Sequence, residues 1–257
     1  MISSRQRDML ALIENEGTQF IEDLARRFGL TTQTIRRDIN ALCDLGYARR
    51  FHGGVDVPVE GRNISVNARA QLNSAAKRRI ARRVAGDIGP DSTVFLGIGS
   101  SVQFVAESLR NHQDLTVVTN NIHVALILCD ASSIEVHLTG GLLRHDDRDV
   151  VGADVIRFFE KFYATHAVVG AGALSPIHGL MDFSYSEAQI TNAIIENSKS
   201  CFLVADASKW MRNASVRVAP FNKLTRFYTD RLPDDEGVVA ACAASSTDIV
   251  LCGEEHS

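Results

Sequence analysis

Apolar residues recur with helical spacing near the start of the chain and in short blocks farther along it. Met9, Leu12 and Ile13 share one face of a helix predicted over residues 3–14, with Ser3 or Ser4 as its cap. After a break at Gly17, Ile21, Leu24, Ala25 and Phe28 give a second, short amphipathic helix that Gly29 ends. Thr31 then caps a third, its hydroxyl suited to accept from first-turn amides, and Gly46 stands where a helix-ending glycine is expected.

The third helix is two-faced. At about 100° per residue, with Ile35 at zero, Ile39 falls near +40°, Leu42 near −20° and Leu45 near −80°, which makes a buried stripe. Thr32, Gln33, Arg36, Arg37 and Asn40 fall on the opposite side, and Thr34 lies in the first turn between them. Arg forks onto guanine O6/N7, and Gln or Asn onto adenine N6/N7; the same groups grip phosphate oxygens. Residues 47–51 read as a strand, Gly53 and Gly54 as a hairpin tip before Val55, and Arg49, Arg50 and His52 decorate that hairpin. Two short helices, a polar-faced third and a basic hairpin predict a winged helix-turn-helix over residues 1–57. Its third helix would enter the major groove of double-stranded DNA and its wing would touch backbone.

Residues 58–73 start polar, with Pro58 and Gly61, and read as a linker. From Ser74 a helix is expected: Ala76, Ile80, Val84 and Ile88 recur every four residues, with Lys77, Arg78, Arg79, Arg82 and Arg83 on its other faces. Over residues 74–257 the pattern changes to blocks of four to six apolar residues: TVFLGIG, LTVVTNN, EVHLTGG, HAVVGAG, CFLVADAS, RFYTD and TDIVL. Helical segments at 102–109, 122–128, 155–162 and 187–198 separate several of them. Such blocks predict an α/β domain with a parallel sheet buried on both faces.

The blocks end in small or polar residues. In open α/β sheets ligands bind outside the carboxyl ends of the strands, so Gly97, Gly99, Ser100, Ser101, Thr119, Asn120, Gly140 and Gly141 are brought to one edge. Ser100 and Ser101 would open a helix, whose positive end suits a phosphate. A dinucleotide site is disfavoured, because Gly97-x-Gly99-x-x-Val102 lacks the third glycine and no acid ends the second strand. No GK[ST] occurs, which excludes a Walker loop.

Charge sharpens the division. Residues 1–90 carry 15 Lys+Arg against 10 Asp+Glu, and residues 91–257 carry 12 against 21. A basic head on an acidic body points to a polyanionic partner for the head. The five cysteines form no CxxC pair and read as free thiols of a reducing cytoplasm. His123, His137, His145, His166 and His178 lack metal spacing, so neither a metal nor another cofactor is expected. No signal peptide or membrane span is predicted.

TTQTIRRDINAL followed by ARRFHGG resembles the signature of the DeoR family of bacterial transcription regulators. Phe20 departs from it, standing where a capping Ser or Thr is usual. The pieces IGSS, VVTNN, LTGGLLR, VVG, GLMDFSYSEA, AIIENS and DASKWMRNA are similar, in order, to the family's sugar-phosphate-sensing domain. That domain is similar in fold to ribose-5-phosphate isomerase, and the pieces look most like the glycerol-3-phosphate-responsive branch. The resemblance implies a phosphate loop at Gly99, Ser100 and Ser101, with polar turns at Thr119, Asn120, Gly140 and Gly141. It also implies an acid at Glu187 and a lysine at Lys209, and makes Arg69, Asn73 and Lys77 similar to the start of the sensing domain, with a ligand role for Lys77. Gly97 stands where members often place Asp, Gly172 and Ala173 replace Ser-Gly, and Trp210 and Met211 replace Phe-Gly.

The expected function is a DNA-binding repressor of a carbohydrate, polyol or opine catabolic operon. A phosphorylated sugar or polyol would relieve it, and a homodimer or homotetramer would read paired half-sites. The alternative is a sugar-phosphate isomerase fused to a DNA-binding head, with Glu187, Asp182 and Lys209 as acid–base groups. Ser184-x-x-Glu187 also reads as a helix capping box, and Asp182 as a turn residue.

Overall fold

In a computed structural model the chain divides into two compact units, Met1–Ile64 and Ser65–Ser257. The structure describes residues 3–16, 18–44, 47–51, 54–56, 66–145 and 147–253. The first unit contains α1 (Ser4–Glu16), β1 (Gln19–Phe20), α2 (Ile21–Phe28), α3 (Thr32–Asp44), β2 (Arg49–Phe51) and β3 (Gly54–Asp56). Its core joins Met9, Ile13, Ile21, Leu24, Ile35, Ile39, Leu42, Ala48 and Val55. The buried stripe of α3 is thus the expected one, apart from Leu45, which lies outside the described residues together with Gly17, Gly46, His52 and Gly53. Thr31 Oγ1 accepts from Thr34 N at 3.2 Å and caps α3. Phe20 stands at the cap position of α2 and supplies no side-chain bond, while Gly29 ends that helix in the left-handed region. The hairpin pairs Arg49 with Asp56, Arg50 with Val55 and Phe51 with Gly54, and β1 adds to β3. Gly54 is therefore a strand residue.

The second unit opens with α4 (Val66–Gln71) and α5 (Ser74–Gly86), so a short helix occupies part of the stretch expected as linker. There follow β4 (Thr93–Leu96), α6 (Ser100–Leu109), β5 (Leu115–Thr119), α7 (Ile122–Leu128), β6 (Ile134–Leu138), β7 (Leu142–Arg144), β8 (Asp149–Val151) and α8 (Ala153–Phe159). Next come β9 (Ala164–Val169), β10 (Ala173–Ser175), β11 (Gly179–Asp182), α9 (Tyr185–Glu196), β12 (Ser198–Val204) and β13 (Val216–Ala219). The last elements are β14 (Arg226–Thr229), α10 (Glu236–Ala244) and β15 (Asp248–Leu251). The seven anticipated strands form one parallel sheet in the order β15-β14-β12-β9-β4-β5-β6.

Both faces of this sheet are covered, which is why its strands lack alternation. Val94, Leu96, Val117 and Val168 pack with Ile80, Val84, Val102, Val105 and Val124 of α5, α6 and α7. Phe95, Val118, Val169 and Leu203 pack with Val155, Phe159, Ile190 and Ile194 of α8 and α9. Two antiparallel additions escape the sequence reading: the β7–β8 hairpin and the sheet β10-β11-β13. After β6 the chain returns to place β9 on the other side of β4. In sheets of this kind ligands bind at such a reversal, outside the carboxyl ends of the strands, here those of β4 and β9.

Candidate effector site and nucleic-acid interface

Thr32, Gln33, Arg36, Arg37 and Asn40 are all exposed, opposite the buried Ile35, Ile39 and Leu42; Thr34 is half-buried beside Thr31, and Arg50 is exposed on the wing. Arg49 lies on β2 beside it. α3 thus carries apolar groups inward and hydrogen-bonding groups outward.

In the second unit, β4 stops at Leu96 because the chain turns at Gly99, whose φ of +109° suits glycine alone among common residues. α6 follows with no side-chain cap, and Ser100 and Ser101 are buried in its first turn. First-turn amides without protein acceptors form an anion site. Gly97 donates to Val168 O at 3.0 Å, which binds the end of β4 to β9 at the switch point.

The polar turn after β5 is used differently. Thr119 Oγ1 donates to Leu96 O at 2.6 Å, and Asn120 Nδ2 donates to Val150 O at 2.9 Å. Asn121 Oδ1 caps α7 by accepting from His123 N and Val124 N. Thr119 and Asn120 are fully buried and hold strand ends together. Asn120 Oδ1 and the Thr139 hydroxyl, on adjacent strand ends, are buried without a partner among the described residues. Gly140 is in open space; Gly141, at φ +144°, passes so close to Val151 O that an added Cβ would lie 2.9 Å from it.

Beyond β9 and β12 the structure assembles a charged cluster that the sequence showed only in part. Arg144, from the β7–β8 hairpin, forks onto Asp149 at 3.0 and 2.7 Å and donates to Glu187 Oε1 at 2.5 Å. Ser184 caps α9 by accepting from Glu187 N at 3.5 Å. The Glu187 carboxylate itself turns to Arg144, so its half of the expected capping box is replaced by an ion pair. Arg69 of α4 pairs with Asp147. Asn73 Nδ2 donates to Asp206 Oδ1 at 2.9 Å, and Lys77 Nζ donates to the carbonyls of Leu72, at 2.6 Å, and Arg69. Lys209, in a short helical turn just after β12, is 9% exposed; its backbone N–H donates to Asp206 O at 3.1 Å, while its ammonium has no ion pair or hydrogen bond among the described residues.

The electrostatics tie these groups together. Burial, reinforced by the charges of Arg212 and Arg69, pushes the Lys209 ammonium well below the usual lysine range. Burial also brings Lys77 down to about 8, against the pull of Asp206, and Arg212 to about 10. Burial and the neighbouring Asp182 charge raise Glu187 to about 8, against the opposing effect of Arg144. Asp182 is itself raised by burial, although Phe183 N donates to it at 2.7 Å and Lys209 favours its charge. The cluster thus holds several buried cations whose charge is held down by burial and by one another. An arriving anion relieves both effects.

Asp182 therefore lies within electrostatic reach of both Glu187 and Lys209. Among the described residues no group of His, Cys, Asp and Glu could hold a metal. The five cysteines are free thiols, and no described helix is long and apolar enough to cross a membrane.

Residues 5–60 match the family model of the DeoR-like helix-turn-helix domain, and residues 72–231 that of the DeoR C terminal sensor domain. The chain belongs to the DeoR family. It is 34% identical over 250 residues to the glycerol-3-phosphate regulon repressor of Haemophilus influenzae, covering 97% of each chain. It is 35% identical over 231 residues to the Escherichia coli K12 protein of the same name, covering 90% of this chain and 92% of that one. Among solved structures, ribose 5-phosphate isomerase A of Methanocaldococcus jannaschii is 13% identical, with a TM-score of 0.40 over 53% of this chain and 54% of that chain. The two relatives are named as repressors, and the DeoR-family reading prevails over that of an isomerase with a DNA-binding head.

In this DeoR-family sensor domain, sequence reasoning missed Arg144, Asp147, Asp149, Asp206 and Arg212 as members of the cluster. The four-residue spacing of Arg69, Asn73 and Lys77 was the available signal for the α4–α5 side. Arg144 ends the matched piece LTGGLLR, but no spacing tied it to Glu187, since a three-residue hairpin strand brings it to a helix 43 positions later.

Proposed function

We propose that the chain is a transcriptional repressor of a carbohydrate, polyol or opine catabolic operon, and that a phosphorylated sugar or polyol releases it from operator DNA. The observation that carries this reading is the pairing, in one chain, of a helix-turn-helix whose α3 face is polar and exposed with a sensor domain whose charged cluster holds several buried cations, the Lys209 ammonium among them. Thr32, Gln33, Thr34, Arg36, Arg37 and Asn40 read the major groove, while Arg49, Arg50 and His52 meet backbone. The phosphate rests on the first turn of α6 at Gly99, Ser100 and Ser101, and Lys209 neutralises it. Glu187 accepts from a ligand hydroxyl, Gly140 and Gly141 border the crevice, and Thr119 and Asn120 act by holding its floor. Gly97, lacking a side chain, sets which ligand hydroxyls are read.

Paired heads imply a homodimer or homotetramer acting in the cytoplasm, where operator DNA lies. The ligand relieves repression by binding the DNA-incompetent arrangement more tightly. The test is fluorescence anisotropy with DNA from upstream of the protein's own gene, at fixed salt. Arg36→Ala and Arg37→Ala are expected to abolish specific binding; intact binding in both would overturn the head assignment.

A further inference from the structure

Arg69 is 8% exposed, yet its Nε has no acceptor among the described residues. Among the described residues the far end of its guanidinium is engaged by Nη2 on Asp147. A buried guanidinium with an idle donor is half of a fork, and forks match the paired oxygens of a phosphate. The charges of Lys209, Lys77 and Arg212 all register that of Arg69, so this donor belongs to the candidate ligand cluster. Arg69 also sits on α4, which packs against α6, the helix whose first turn is the candidate phosphate seat.

Polar bonds help fasten α4. Arg69 ties it to Asp147, Lys77 caps its last carbonyls, and Asn73, at a left-handed φ of 52°, ties the following turn to Asp206 and Ser208. Along the chain, α4 is the first helix after the DNA-binding head.

We propose that Arg69 is a ligand-binding residue, and that an anionic phosphate ester competes with Asp147 for it, so that occupancy of the sensor loosens α4. The proposal rests on the phosphate reading of the strand-end crevice. It assigns two roles to one pair: Arg69 favours the ligand, while Asp147 favours the empty state. Removing each partner must then move ligand affinity in opposite directions, whereas a merely structural ion pair would weaken binding from either side.

The experiment uses the full chain with inorganic phosphate and, separately, glycerol 3-phosphate as probes. The chain's single tryptophan, Trp210, adjoins Lys209 and reports occupancy by fluorescence. Arg69→Gln is expected to bind about tenfold more weakly and Asp147→Asn several-fold more tightly. In the double variant the gain from Asp147→Asn should vanish. Arg69→Lys, which keeps the charge but not the fork, carries the test if Arg69→Gln does not fold, with binding again expected to weaken several-fold. Amide exchange over residues 66–71 should quicken with either probe in the wild type, and be fast without a probe in Asp147→Asn. Equal weakening by both single variants, or a gain from Asp147→Asn that survives in the double variant, would overturn the competition. If neither probe binds the wild type, the phosphate reading itself fails and takes the proposal with it. If they bind and Ser101→Ala weakens them while the Arg69 variants do not, only the role of Arg69 is lost. A response to glycerol 3-phosphate alone assigns the site to an ester; equal responses assign it to the phosphate group.

Discussion

The carboxylate of Asp38, on the buried side of α3, receives Arg5 Nε of α1 at 2.7 Å. Gln6 Nε2 adds a second bond to the same carboxylate at 3.1 Å. Asp38 thus ties α3 to α1. Asp38→Ala should cost the head about 1–2 kcal/mol. Amide exchange in α1 and α3 should quicken by about tenfold or more, while exchange in the sensor domain stays unchanged.

Arg36 and Arg37 face outward from the same helix. Their removal should leave thermal stability within about 0.5 kcal/mol. If either grips phosphate, the dependence of binding on salt falls by about one ion for each. If either reads a base, discrimination at one operator position falls instead. Anisotropy titrations at several salt concentrations separate these outcomes.

Two glycines of the crevice should respond oppositely. At Gly141 an added Cβ would lie 2.9 Å from both Val150 Cγ1 and Val151 O, at a φ of +144°. Gly141→Ala should therefore destabilise the sensor domain by about 1–3 kcal/mol. At Gly97 the nearest atoms to an added Cβ are Val168 O at 3.4 Å and Ile194 Cδ1 at 3.7 Å, an ordinary contact. Gly97→Asp should fold and change the rank order of phosphorylated ligands in a thermal-shift panel, because it restores an acceptor at the end of β4.

Legibility followed the range of the interactions. The stripe Ile35, Ile39 and Leu42 was readable because helical periodicity alone places it inside. The seven strands were readable as apolar blocks because both sheet faces are covered. The β7–β8 and β10–β11 hairpins escaped because three of their four strands run to only three residues, and Leu142 is exposed even within one. Thr119 and Asn120 were legible as a polar strand end, but not as groups already bonded to Leu96 and Val150. Convergence of Arg144 on Glu187 and of Asn73 on Asp206 depends on tertiary contacts that no local pattern encodes.

Titration should leave opposite marks on either side of pH 8. Glu187, raised to about 8 from 4.5, makes the folded chain hold more protons than the unfolded one, so stability falls as pH climbs through that window. Lys77, lowered from 10.5 to about 8, makes the folded chain hold fewer, so stability rises as pH climbs above 8. Urea unfolding of the wild type and of single variants at stepped pH should resolve the two contributions, the Glu187 one as a fall below pH 8 and the Lys77 one as a rise above it. Glu187→Gln should flatten the fall below that point and Lys77→Met the rise above it; unchanged slopes would contradict the burial of these charges.

The central claim is that one chain couples a phosphate ligand to DNA release. Its most direct measurement is operator affinity of the full-length protein, at fixed salt, across a panel of phosphorylated sugars and polyols and their unphosphorylated parents. The account predicts that at least one phosphorylated compound weakens operator binding tenfold or more, that its parent does not, and that Lys209→Met abolishes the response while leaving operator affinity intact. Release by an unphosphorylated parent, or a response undiminished in Lys209→Met, would contradict it.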